Sequence, residues 1–137
     1  MLYQKEITLS THGHKDMHRL DDLIQDIVTE SDIEQGVVHV FNVGSTACIG
    51  MIEFEPGLEK DLPKILDTLI PPGRFYGHEQ AWHDGNTHSH LQATMMGPDL
   101  TVPIRGQSLV LGTWQQIIHL ECDVKPRTRT IIVTVMG

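Results

Sequence analysis

The sequence predicts a single α+β domain, a mainly antiparallel β-sheet with two main helices and a short third helix. Three observations predict it. Two segments, near residues 20–28 and 58–69, place apolar residues at helical spacing. Several others alternate, or run apolar, over strand lengths. The order is strand, helix, two strands, helix, then several strands, which is the pattern of an α+β domain. A length of 137 residues fits one core.

Taken in order, residues 2–10 read as a strand with partial alternation, and residues 11–15 (Thr-His-Gly-His-Lys) as a polar loop. Asp16 is placed to cap a helix running to about Glu30, with Leu20, Leu23, Ile24, Ile27 and Val28 as its buried stripe. Val37–Phe41 and Ala47–Ile52 read as strands around Asn42–Thr46. After Pro56-Gly57, the residues Leu58, Leu62, Ile65, Leu66 and Leu69 mark the second helix. Pro63 is expected near its first turn, where a missing N–H matters least, and Pro71-Pro72-Gly73 ends it. Tyr76–His90 is expected to be a loop, followed by a short helix from Ser89 to Met96 closed by Gly97-Pro98. The remainder is strand-rich: Leu100–Ile104, Ser108–Leu111, a long strand Thr113–Cys122, and Thr130–Met136. On the long strand, period two puts Thr113, Gln115, Ile117, His119 and Glu121 on one face. Trp114 is expected in the core.

Composition narrows the function. With Lys+Arg 10 against Asp+Glu 18, the net charge of −8 argues against nucleic-acid binding as the main role. Lys125, Arg127 and Arg129 are the one close basic group. No apolar run suits a bilayer crossing, and the N-terminus lacks the pattern of a signal peptide, so no membrane association is expected. Two cysteines, Cys48 and Cys122, are too few for a disulfide scaffold and read as buried free thiols. A cytoplasmic setting is the default expectation.

The chemistry is concentrated in Tyr76–His90, which holds four of the nine histidines. His83, His88 and His90 fall within eight residues around a Gly-Asn turn, and His78 precedes them. Converging imidazoles with one open position are a common way to hold a catalytic metal, here most simply zinc, with magnesium as the oxygen-ligand alternative. His78, His83, His88 and His90 are therefore the candidate ligands, and Asn86 sets the turn. His12, His14 and His18 read as solvated, and His39 and His119 as satisfied sheet positions. Glu53 and Glu121 each end an apolar strand, where a carboxylate can orient an imidazole or act as general base. Gln115 shares the Glu121 face and is a candidate cavity residue. Arg127 and Arg129 can clamp a phosphate or pair with acids across a subunit boundary.

Gly-Asn-Thr-His-Ser-His-Leu at 85–91, Met-Gly-Pro-Asp-Leu-Thr-Val-Pro-Ile at 96–104 and Leu-Gly-Thr-Trp-Gln-Gln-Ile at 111–117 closely resemble the YjbQ-like family. So do Pro126-Arg127 before an apolar strand and the terminal Gly137. The resemblance covers nearly the whole chain. It implies a small α+β fold, a homotrimer, a metal-binding histidine site and activity of the secondary thiamine-phosphate synthase kind on a small phosphorylated substrate. One departure stands out: many members carry a His at the position of Gly44, and here the segment is Val43-Gly44-Ser45-Thr46-Ala47.

The resulting expectation is a metal-binding enzyme resembling thiamine-phosphate synthase. Its alternatives are a metal-dependent hydrolase, in which metal-bound water attacks a phosphate ester, and a non-catalytic metal or small-ligand binding protein.

Overall fold

The computed structural model describes residues 1–137 as two antiparallel sheets and four helices. The elements are β1 (Leu2–Thr11), β2 (Met17–Arg19), α1 (Asp21–Glu30), β3 (Gln35–Val43), β4 (Ala47–Ile52), α2 (Pro56–Leu69), α3 (Gly77–Trp82), α4 (Thr87–Met96), β5 (Asp99–Arg105), β6 (Ser108–Leu109), β7 (Gln116–Glu121) and β8 (Arg127–Met136). The larger sheet has the order β1-β8-β3-β5-β6 and the smaller one β2-β7-β4. The α+β class read from the sequence is therefore what the chain adopts. No helix is long and apolar enough to cross a membrane.

Two hydrophobic clusters define the layers. The main core joins Leu20, Ile24, Ile27 and Val28 of the α1 region to Val38 and Val40 of β3 and to Ile131, Val133 and Val135 of β8. Ile49 of β4 and Ile117 of β7 enter it from the smaller sheet. The opposite face of that sheet carries Cys48, Ile118, Leu120 and Cys122, covered by Leu66 of α2 and flanked by Met96 of α4. The smaller sheet is thus buried on both faces, and every residue of β7 after Gln116 is buried, His119 and Glu121 included. Both cysteines are free and buried, as expected.

Several boundaries differ from the sequence expectation, each for a tertiary reason. Asp16 does not cap α1. Residues 17–19 pair with β7, His18 opposite His119, and the helix starts only at Asp21. Asp16 instead accepts from the His12 amide at 3.0 Å and lies 2.8 Å from His18 Nε2. Leu23 leaves the expected stripe and is largely exposed. The second helix starts at Pro56, where the Glu55 carboxylate caps it by accepting from Gly57 N at 2.9 Å and Leu58 N at 2.7 Å. Pro63 is therefore inside the helix rather than in its first turn. The long strand is shorter than expected. Thr113–Gln115 form a turn, closed by Gly112 N donating to Gln115 Oε1 at 2.8 Å, and Trp114 is 69% exposed rather than in the core. β8 begins three residues earlier than expected, because its start pairs with the end of β1 (Thr11 opposite Arg127).

Candidate functional site

The histidine segment is more ordered than a loop. α3 occupies Gly77–Trp82, and His83 closes it in the left-handed conformation with φ 57°. Its amide donates to Glu79 O at 3.1 Å. Asn86 then turns the chain into α4, its carbonyl accepting from Ser89 N at 3.0 Å and His90 N at 3.3 Å. The Arg74 guanidinium pairs with Glu79, whose other oxygen accepts from Gly85 N at 2.7 Å, so a buried carboxylate ties the two helices together.

Of the four candidate ligands, the structure brings His78 and His90 together, with ring centroids 4.7 Å apart. His78 Nε2 is buried and has no hydrogen-bond partner; Asp84 Oδ1 is its nearest carboxylate at 3.5 Å, beyond hydrogen-bond length. His90 faces a cleft of about 340 Å³ lined by Gly44, Ser45, Ala47, Ala93, Thr94 and Pro98. Burial, and then the neighbouring His78, push the His90 pKa down, which favours the neutral imidazole a metal needs. His88 is not part of this ring pair. It is buried near Lys15 and Asp67, and burial lowers its pKa too. His83 is exposed at the end of α3. No three His, Cys, Asp or Glu side chains of one chain converge to hold a metal.

Gly44 forms one wall of the cleft. Its φ is +155°, and a Cβ there would come within 2.8 Å of an Arg129 guanidinium nitrogen. The space that a side chain at position 44 would take is thus occupied by Arg129.

The three proposed catalytic side chains are distributed differently. Glu53 follows the end of β4 remote from Ala47, roughly 20 Å along an extended strand, and is not among the residues lining the cleft. Gln115 is exposed in the turn before β7, at that same remote end, since Gln116 pairs with Ile52. Glu121 sits at the near end, opposite Ala47, but faces the interior. It forms a buried ion pair with Arg129 and accepts from Thr11 Oγ1 at 2.7 Å. Burial raises its pKa, but the bonds from Arg129 and Thr11 outweigh that and hold it below the usual range. Arg127 pairs with Asp123 at 2.8 Å, and Thr46 donates to the same carboxylate at 2.9 Å. Both arginines therefore pair with acids of their own chain. His39 is satisfied by Asp99 Oδ2 at 2.7 Å, whereas buried His119 is satisfied only in part: its Nε2 meets Asn42 Oδ1 at 2.9 Å and its Nδ1 has no partner.

Sequence reasoning missed Asp84 and Asp123. Asp84 lies inside the histidine segment itself and could have been found there. Asp123 gives no local signal, because only folding brings its charge near His90.

A small α+β protein with a paired-imidazole cleft is the class that this fold and site define. The chain belongs to the family described as UPF0047 protein YjbQ-like, which matches residues 5–137. A UPF0047 protein of Methanothermobacter thermautotrophicus is 35% identical over 99% of this chain and 93% of its own. The UPF0047 protein YjbQ of Salmonella typhimurium is 30% identical over 100% and 99%. Among solved structures, a YbjQ-like protein of unknown function from Sulfolobus solfataricus P2 superposes with a TM-score of 0.95 at 34% identity, covering 100% of this chain and 98% of that one. An uncharacterised conserved protein of the same family from Clostridium acetobutylicum gives 0.88 at 31% identity, covering 96% and 99%.

Proposed function

We propose that the protein is a metal-binding enzyme acting on a small phosphorylated substrate in the cleft beside His90. The observation that carries this reading is the His78–His90 pair, with its buried and unpartnered His78 Nε2. Two imidazole ligands favour zinc over magnesium, which prefers oxygen ligands. One chain offers two nitrogens, and Asp84 does not converge with them into a set of three ligands, so a homotrimer is part of the proposal. The exposed His83 is the imidazole free to reach a neighbouring copy. A bound zinc would polarise a phosphoryl oxygen or activate water, and His78 and His90 would hold it. Metal-assisted hydrolysis of a phosphate ester suits such a site at least as well as a thiamine-phosphate-synthase-like transfer, which rests on family resemblance.

A non-catalytic binding role is the second reading. It is favoured by the placement of Glu53 and Gln115 away from the cleft and by the locked ion pair of Glu121.

Elemental analysis of the untagged wild type and of the His78→Ala/His90→Ala variant tests the proposal. The expected result is near-stoichiometric zinc in the first and loss in the second. Wild type that takes up no zinc after incubation with it sinks the metal site. Zinc-loaded protein with no turnover of phosphate or pyrophosphate esters, thiamine precursors included, favours the binding role.

A further inference from the structure

A second cavity, of about 320 Å³, is a groove between β1 and α1. It is lined by residues 5–8 of the strand and by Leu23, Asp26, Ile27 and Glu30 of the helix. Successive strand residues point to opposite faces of a sheet, so what these four share with the groove is their backbone edge. That edge is open. β1 is the outermost strand of the larger sheet and pairs with β8 alone. The N–H and C=O of every second residue therefore point away from the sheet, a template for one more strand. Lys5, the kind of charge that guards an edge, is drawn onto α1 by its 2.7 Å pair with Glu30.

The floor of the groove is apolar. Ile27 is buried, Ile7 is half-buried, and Leu23 is 46% exposed although it shares a helix with the buried Ile24, Ile27 and Val28. Glu30 closes one end, accepting from Tyr3 Oη at 3.0 Å as well as from Lys5. From Leu23 to Glu30 the helix spans roughly 10 Å, the length of about three extended residues.

Charge selects the occupant. The rim carries the carboxylates of Glu6, Asp26 and Glu30 against the single ammonium of Lys5, and the whole chain has a net charge of −8. Two copies meeting edge to edge at this groove would set these carboxylates against one another, which disfavours a second copy.

We propose that the groove between β1 and α1 docks an extended peptide of a partner protein, in which aliphatic and basic residues alternate. The peptide adds a strand to β1 through backbone hydrogen bonds. Its side chains that face α1 fill the space at Ile7, Leu23 and Ile27. Those on the other face meet Glu6, and lysine or arginine there is attracted by it and by the acidic rim. This surface is separate from the His90 cleft and depends on neither the metal nor the substrate.

The test is fluorescence anisotropy of a labelled, capped peptide of alternating valine and lysine, titrated with the whole chain at low salt. Saturable binding is expected, with a valine–glutamate peptide weaker by about tenfold or more. N-methylation of the valine–lysine peptide at every second residue keeps its charge and removes half its donors. Methylating one of the two alternate sets should weaken binding by about tenfold or more. Leu23→Lys and Asp26→Lys, both at exposed positions, should each do the same. Wild type that ignores the valine–lysine peptide overturns the proposal. So does binding that Leu23→Lys and both methylated peptides leave unchanged, which is attraction by charge alone. Sedimentation supplies the remaining control: an oligomer of wild type that Leu23→Lys dissociates means that a second copy covers the groove, and this too overturns the peptide. Amide exchange in wild type needs no variant. Slower exchange over residues 2–11 with the peptide supports strand addition, and unchanged exchange there overturns it.

Discussion

His119 shows how burial sets the behaviour of one residue. Its ring lies between the sheets with Nε2 on Asn42, and burial pushes its pKa down from 6.5 to about 4, against the opposing pull of Glu121. A lowered folded-state pKa means that the unfolded chain binds the proton first. The stability from neutral His119 is complete above about pH 6.5 and is lost as the pH falls towards 4. By about pH 5 the expected loss is roughly 2 kcal/mol. His88 and His90 are shifted in the same direction, so wild type alone does not isolate the effect. Urea unfolding at the two pH values, for wild type and His119→Gln, does. The variant should lose less stability on acidification, and equal losses would remove His119 as the cause. Buried Glu121 is the opposite case: burial raises its pKa, but the bonds from Arg129 and Thr11 outweigh that and hold it below the usual carboxylate range.

At the scale of elements, α2 is the informative helix. Its apolar spacing is visible in the sequence, but its start depends on Glu55, whose carboxylate accepts two amides. Starting at Pro56 moves Pro63 into the interior, where it withholds one helical hydrogen bond. Pro63→Ala should therefore stabilise the fold by on the order of 1–3 kcal/mol, seen as a higher melting temperature. A drop would show that the proline ring packs more usefully than an alanine with its restored bond. β7 makes a related point. Its alternation correctly divides Ile117, His119 and Glu121 from Ile118 and Leu120, because period two survives wherever a strand forms. The extension back to Thr113 fails because pairing with β4 ends at Gln116.

At the scale of the whole molecule, the paired histidines lie beside an open cleft, and one chain supplies too few ligands to close a metal site. The proposed homotrimer predicts three copies by light scattering, with zinc uptake lost on dilution to monomer. A monomer at all concentrations that still binds zinc would require Asp84 and solvent to complete the shell. The sequence by itself determined the α+β class, both amphipathic helices, the family and the segment that holds the candidate histidines, because hydropathic period and local motifs are properties of neighbouring residues. Only the tertiary structure decided that His78 meets His90 while His88 turns inward, that Glu53 and Gln115 lie at the far end of their strands, and that Glu121 is spent on Arg129. The physical reason is that ligand geometry and charge pairing depend on distances between residues far apart in the chain, which strand register and layer packing set and which no local pattern encodes.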